Sequence, residues 1–303
     1  MEAQTLRTLV ARHAGPDGIS PTPIEGLRLF RINEPVDRLP GVYPASMCCI
    51  VQGTKRAWLA GVEHTYDEDH YLCATMDLPV VAEVPAATPQ QPVLGVLVDL
   101  DTRAMAETLV AYEAAARPHR PALAPDPGSG LVVADVDDRF RDALGRLLRL
   151  LDDPVALRVL AGGRLRELLF TVIEGQAGPL VRHSLGGASA ITRVVAHVRD
   201  NLDQPLTVDD LARRAGMSRA VFHRRFKAAT GLPPLQFIKT LRLSRAAMQI
   251  AGGRAVIGDA AQAVGYTSAS QFSREFRRQF GASPRQWART ASASAPDVQA
   301  AGG

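Results

Sequence analysis

The chain has 303 residues, 46% of them hydrophobic and 22% charged. These proportions are ordinary for globular domains and exclude a mostly disordered chain, a collagen-like repeat or a coiled-coil rod. At 303 residues, two domains or three are expected. The net charge of +4 hides an asymmetry: residues 179–303 carry 18 basic and 7 acidic side chains, whereas residues 1–178 carry 17 and 24. A basic half beside an acidic half points to one domain that meets a polyanion and one that does not. No run of about 18 apolar residues occurs. The first fifteen residues also lack the apolar core of a signal peptide, so a cytoplasmic chain is expected. Cys48, Cys49 and Cys73 form neither an even disulfide set nor a Cys-x-x-Cys pair, which leaves no disulfide scaffold or zinc ribbon.

In chain order, residues 27–33, 47–53, 55–61, 70–76, 79–85 and 93–100 are short apolar or β-branched runs punctuated by Gly, Pro, Asp and Glu. Their regular spacing predicts a sandwich or barrel. Helical periodicity follows over 102–117, with Met105, Leu109 and Tyr112 on one face. A Pro/Gly-rich loop occupies 118–130. Residues 137–153 place Phe140, Leu144, Leu147, Leu148 and Leu151 on one helical face. A further helix over 155–174 carries Leu157, Leu160, Leu165, Leu168, Leu169 and Val172, with a break expected at Gly162–Gly163. Of these two leucine stripes, one is expected inside and one at a dimer contact. The Gly-rich stretch 175–189 is the expected linker. Beyond it the chain is helical and basic to about residue 290, and the small-residue tail 291–303 is expected to be disordered.

The basic half repeats itself. Residues 206–237 and 255–287 match at a spacing of 49 for Ala212/Ala261 and Gly216/Gly265. The spacing becomes 50 for Phe222/Phe272, Phe226/Phe276, Gly231/Gly281 and Pro234/Pro284. Each copy reads as helix–turn–helix. Thr207 and Asp210 form a capping-box pattern, Gly216 supplies a left-handed turn, and Ser218 caps the next helix. In the second copy Gly265 makes the turn and Thr267 or Ser268 the cap. Val221, Phe222 and Phe226 are expected inside, as are Phe272, Phe276 and Phe280. The outer faces carry Arg219, Ala220, His223, Arg224 and Lys227 in the first unit and Ser270, Gln271, Ser273, Arg274 and Arg277 in the second. A short helix, a glycine turn and a second helix with a basic outer face is the arrangement that enters the major groove of DNA. Arginine and polar side chains then reach base edges while other basic groups hold phosphates. The competing reading is a helical bundle with a solvated basic face. Two copies, joined by the apolar segment 235–251, weigh against it.

Residues 190–290 resemble the DNA-binding domain of the AraC/XylS family of bacterial transcription regulators. The pattern A-x-x-V-G-Y-x-S-x-x-Q-F-x-R-x-F-R-R-x-F-G-x-S-P-x-x-W over 261–287 carries the likeness. The resemblance implies that two recognition helices enter successive major-groove segments, roughly 34 Å apart. It puts the base-reaching positions at Arg219, Ala220, His223 and Arg224, and at Ser270, Gln271 and Arg274. Residues 27–84 and 91–101 resemble the N-terminal domain of some of these regulators, a cupin-like barrel followed by helices that senses an effector or dimerises. The expected fold is therefore α+β. Residues 1–178 would form a cupin-like β-barrel with helices, 179–189 a linker, and 190–290 an all-α domain with two helix-turn-helix units. The implied partners are double-stranded promoter DNA, RNA polymerase, a small-molecule effector and a second copy of the chain.

The first half offers little catalytic chemistry. His64 and His70 do not make the His-x-His of a metal cupin, so neither metal nor cofactor is expected, and the chain is not expected to be an enzyme. Cys48 and Cys49 are adjacent on a strand and point to opposite faces. With Cys73 they are either buried small hydrophobes or redox-sensing thiols. Trp58 and Tyr71 either line a barrel pocket or pack in the core. Arg28, Arg31 and Arg38 either bind an anionic effector or pair with Glu25, Glu34 and Asp37. An enzyme tethered to DNA and an effector-free dimerisation protein are the competing classes.

Overall fold

The structure is a computed structural model that describes residues 3–100, 102–115, 128–185, 189–253 and 255–291. Most of the expected loop 118–130 and nearly all of the expected tail 291–303 lie outside the described residues. The chain opens with a helix that the sequence pattern did not announce, α1 (Ala3–His13). Nine strands follow: β1 (Gly18–Pro21), β2 (Leu27–Ile32), β3 (Val36–Tyr43), β4 (Ser46–Gln52), β5 (Lys55–Leu59), β6 (Val62–Tyr66), β7 (His70–Ala74), β8 (Leu78–Val84) and β9 (Val93–Asp99). Helix α2 (Arg103–Ala115), strand β10 (Leu131–Asp135), helix α3 (Asp138–Arg149), a 3-10 turn at Leu150–Asp152, α4 (Pro154–Glu174) and α5 (Gly178–Leu185) complete the acidic half.

The strands form two antiparallel sheets rather than one closed barrel. Among the described residues one runs β1-β2-β9-β4-β7-β10 and the other β3-β8-β5-β6. The six-stranded sheet is covered on both faces, which explains why its strands read as continuous apolar runs. Along β4, Cys48 and Ile50 face the other sheet, while Met47, Cys49 and Val51 face the helices. Along β7, Leu72 and Ala74 point inward, and Tyr71 and Cys73 point to the helices. The helical layer is α1, α3 and α4. Phe140, Leu144, Leu147 and Leu148 of α3 are fully buried against this sheet, each contributing roughly 1.5–3 kcal/mol of burial.

Caps set where these helices start. Asp137 accepts from the Phe140 backbone N–H to open α3, and Asp153 accepts from Val155 and Ala156 to open α4, with Pro154 in the first turn. The expected break at Gly162–Gly163 does not occur. Helix α4 runs unbroken for 21 residues. Each glycine costs about 0.5–1 kcal/mol, which the buried stripe Leu165, Leu168, Leu169 and Val172 outweighs. The first leucine stripe and all of the second except Leu160, which is 42% exposed, thus pack into the same core. The expected linker 179–189 carries α5 over most of its described length: Leu180 and Val181 are buried, and Arg182 donates to the Ile173 carbonyl at the end of α4. Small residues there permit tight helix packing rather than an extended connection.

The basic half is helical. It comprises α6 (Ala190–Asp200), α7 (Val208–Arg214), α8 (Arg219–Thr230), α9 (Pro234–Ala251), α10 (Ile257–Ala263), α11 (Ala269–Phe280) and α12 (Pro284–Ala291). It holds two cores. Phe222, Phe226 and Phe237 pack edge to face or tilted at 5.2–5.3 Å. They join Ile191, Val194, Leu211 and Leu241 in a core continuous with the inner face of the two sheets. Phe272, Phe276, Trp287 and the far end of α9 make a separate core. The first unit is docked on the sheets at several points. The Gly130 backbone N–H donates to the Ala229 carbonyl at 2.6 Å. Arg199 lies 3.5 Å from the buried carboxylate of Asp77, and α9 packs on β3 and β8.

Candidate nucleic-acid interface

The two repeats fold as matching helix–turn–helix units. Thr207 caps α7 by accepting from the Asp210 N–H at 3.2 Å. Gly216, at φ +66°, lets the chain reverse, and the Met217 N–H closes onto the Ala212 carbonyl at 3.0 Å. Ser218 then caps α8. In the second unit Gly265 adopts φ +83°, and the Tyr266 N–H closes onto the Ala261 carbonyl at the same 3.0 Å. The cap is Ser268, which accepts from the Gln271 N–H at 3.3 Å. Thr267 is the inserted residue that moves the spacing from 49 to 50. Helices α8 and α11 both end at left-handed glycines, Gly231 at φ +76° and Gly281 at φ +77°, as helix C-termini commonly do.

These turns orient the outer faces. Arg219, Ala220, His223, Arg224 and Lys227 are all exposed on α8. On α11, Ser270, Gln271, Arg274 and Arg277 are exposed and Ser273 is half-buried. Val221 and Phe280, expected inside, are half-buried, while Phe222, Phe226, Phe272 and Phe276 are buried. Arg225 and Arg278 are also exposed and basic. They follow Arg224 and Arg277 directly, so the doubled arginines were the visible sign of them. Arg219 lies 3.5 Å from Asp209, an exposed pair worth little in water and easily exchanged for a phosphate.

Helix α11 is fastened from behind. Glu275 accepts from the Tyr266 hydroxyl at 2.8 Å and lies 2.8 Å from the Lys239 ammonium on α9. Burial works against its charge, but Lys239 and Tyr266 outweigh it and hold the carboxyl below the usual range. The Trp287 indole donates to the Ala247 carbonyl at 3.2 Å. The second recognition face is thereby set on α9 by polar contacts as well as by the phenylalanine core.

The residues singled out in the acidic half separate. Cys48 lines a cavity between the two sheets. Cys49 and Cys73 lie on the helix side of the six-stranded sheet. All three thiols are buried and free, and burial raises each, Cys73 to about 12. Tyr71 stacks on Phe140 at 4.7 Å in the helix-side core. Trp58 points away from the cavity and stacks under the Arg38 guanidinium at 4.4 Å. Arg28 pairs with Asp99. Arg31 donates to the Ala11 and Gly15 carbonyls and so ties α1 to β2. His64 sits on β6, and His70 lies 2.7 Å from Asp67, whose hydrogen bond raises its pKa. No group of three His, Cys, Asp or Glu residues able to hold a metal occurs among the described residues.

Comparison with known proteins agrees with this geometry. Residues 23–180 match the family model for the AraC-type transcriptional regulator N-terminus, and residues 211–290 match a helix-turn-helix domain. The chain is 34% identical over 97 residues to the regulatory protein SoxS of Escherichia coli K12, covering 32% of this chain and 91% of SoxS. It is 30% identical over 122 residues to the transcriptional activator RhaS of Escherichia coli SE11, covering 40% of this chain and 44% of RhaS. Among solved structures, apo ToxT from Vibrio cholerae superposes with a TM-score of 0.57 at 11% identity, over 89% of this chain and 99% of ToxT. ToxT with a bound unsaturated fatty acid superposes at 0.54 and 11% identity, over 86% and 94%. These ToxT likenesses are of fold, sheets and helix–turn–helix pair together. With more than half of its length matched by the family's N-terminal model and both helix–turn–helix units in place, the chain belongs to the AraC family of DNA-binding transcription regulators, not to a class of enzymes.

Proposed function

We propose that the chain reads a two-element promoter site through α8 and α11, and that a small-molecule effector held between the two sheets controls this reading. The observation that carries the proposal is the shared core. The inner face of the sheets and the first helix–turn–helix unit are one continuous apolar cluster. A ligand that shifts β3 or β8 bears directly on α9, which joins the two units. The base-reaching side chains are Arg219, His223 and Arg224 in the first unit, with a methyl contact from Ala220, and Ser270, Gln271 and Arg274 in the second. Lys227, Ser273 and Arg277 hold phosphates. The outer faces differ, so the two half-elements differ in sequence.

A second copy docks on the outer face of α4, in this reading. Val155, Val159 and Phe170 are 66%, 76% and 44% exposed there, and the bare Gly162–Gly163 step between them allows close helix approach. Contact with RNA polymerase then follows from where a bound dimer stands relative to a promoter, in the compartment that holds the DNA. The test is enrichment of fragments from the host genome by the purified full-length chain at about 0.15 M salt, which suppresses purely phosphate-driven binding. A few fragments sharing a two-element site support the reading. Uniform recovery of fragments by the full-length chain, with no shared site, overturns it.

A further inference from the structure

The cavity between the sheets holds a buried cation that no carboxylate answers. It is lined by apolar side chains, among them Ile19, Phe30, Val36, Leu39, Val42 and Leu97, and encloses about 770 Å³ including its open side. Three charged residues also line it: Arg28, Glu83 and Lys55. Arg28 pairs with Asp99, and Glu83 lies 3.9 Å from Arg56. Lys55 has no carboxylate within ion-pairing distance among the described residues, and it is only 4% exposed, too little for its amine to reach water along the strand.

Three features hold that amine in place. Its Nζ sits 5.0 Å from the centre of the Phe30 ring and 5.9 Å from that of Tyr43. Phe30 itself is fixed because β9 carries Gly95 beside it, where a Cβ would come within 2.3 Å of the ring. Around the amine lie only neutral donors: the Tyr43 hydroxyl, the Cys48 thiol and, behind Cys48, the Tyr66 hydroxyl. The Tyr43 and Tyr66 oxygens are buried and have no polar partners beyond one another, Lys55 and Cys48. Burial works against the charge on Lys55, and its contacts with Tyr43 and Cys48 work for it.

A buried amine with no carboxylate beside it costs free energy as a cation, which a folded chain normally avoids. The ring faces return part of it. What is missing is an acceptor carrying one negative charge. We propose that this cavity is the binding site for a monocarboxylic acid with an apolar body, its carboxylate paired with Lys55 and within reach of the Tyr43 hydroxyl, its body against the apolar walls. One cation and a nearby Glu83 fit a monoanion better than a phosphate or a dicarboxylate, whose second charge would stay buried and unpaired. The assignment deepens the effector reading above and rests on it for its regulatory meaning, although binding itself can be tested alone.

The test uses the full chain and straight-chain monocarboxylates from hexanoate to hexadecanoate, each below its micelle threshold, beside the matching primary amides. Calorimetry and thermal melting report binding. At least one acid should raise the melting temperature and bind about tenfold or more tightly than its amide, the size of a charge-assisted contact. In Lys55→Met the acid should lose that advantage and bind no better than the amide. The unliganded variant should melt no lower than the native chain, since it loses an uncompensated charge. Lys55→Arg should keep part of the preference. If no acid binds the native chain, if amides bind as well as acids, or if Lys55→Met keeps the preference, the assignment fails. DNA affinity measured with and without the acid separates the two readings. Acid binding with unchanged DNA affinity overturns effector control and leaves the site. Specific DNA binding with no acid bound does the reverse.

Discussion

Replacing Glu275 by Gln should weaken the second helix–turn–helix unit by about 2 kcal/mol at neutral pH. Glu275 receives two charge-assisted contacts, from Lys239 on α9 and from Tyr266 in the turn, each 2.8 Å long. Its side chain is 19% exposed and that of Lys239 is 29% exposed, so solvent screens the pair only in part. A hydrogen bond to a charged group contributes about 1.5–3 kcal/mol and a neutral one about 0.5–1.5. Glutamine keeps the shape but loses the charge-assisted part of the Tyr266 contact and the ion pair with Lys239, whose desolvated ammonium is left without its counter-charge. The effect depends on pH with a definite sign. The folded carboxyl lies below the usual range, because Lys239 and Tyr266 outweigh burial. Its stabilisation is therefore fully present above about pH 4.3, the unfolded value, and is lost as pH falls through the folded value. Urea unfolding at pH 7, 5 and 3 checks this, in a Trp58→Phe background that leaves Trp287 as the reporter. Native and Glu275→Gln chains should differ at pH 7 and 5 and converge toward pH 3. A gap that stays constant to pH 3, or none at pH 7, refutes the role given to this carboxylate.

Other outcomes follow from the same geometry. Arg224→Ala and Arg274→Ala should each cost about 1–3 kcal/mol on the preferred site and relax sequence preference in different half-elements, read by fluorescence anisotropy on single-base variants of the operator. Lys227→Ala should weaken all sequences alike and lower the slope of log K against log salt by about one unit. The three thiols should resist a neutral disulfide reagent in the native chain and react together on unfolding, because all are buried and their pKa values raised. Phe226→Ala should cost about 3–5 kcal/mol and lower the melting of the sheets as well, whereas Phe276→Ala should spare them, as separate calorimetric transitions would report.

What the sequence revealed follows from what each element asks of its own residues. The helix–turn–helix pair was legible because caps, turn glycines and phenylalanine spacing are local, and they occur twice. In the doubly covered sheet, β2, β4, β7 and β9 were legible as apolar runs, whereas the four-residue β1 and the isolated β10 were not. Strands β3 and β6 were not, because β3 carries Asp37, Arg38 and Pro40 and β6 lies mostly at the surface. Helix α5 hid behind a Gly–Pro pair that usually marks a loop. Of Cys48, Cys49, Cys73, Trp58 and Tyr71 only Cys48 lines the cavity, and of Arg28, Arg31 and Arg38 only Arg28 does. Lys55 gave no local sign of burial, because it opens the apolar run 55–61 beside Arg56 and alternation alone does not say which of the two faces inward. Only the pairing of β5 with β6 and β8 turns one of these neighbours inward and the other out.

The two helix–turn–helix units look alike in sequence but are not equivalent in the folded chain. The first has no core of its own. Phe222, Phe226 and Phe237 sit in the same cluster as Phe30, Ile50 and Val80 of the sheets, and the Gly130–Ala229 hydrogen bond and the Arg199–Asp77 pair close the seam. The second unit is anchored to α9 and α12 through Phe276, Trp287 and the Glu275 contacts, and its turn glycine Gly265 abuts the Leu202 and Asp203 carbonyls. A change between the sheets therefore reaches the first unit through packed side chains, and the second chiefly through the length of α9. Because packed cores shift between discrete arrangements rather than deform smoothly, the proposed occupant beside Lys55 would act on the angle between sheets and α9 and move α11 as a body. On that proposal, regulation works through the spacing and orientation of α8 and α11, with their outer faces unchanged.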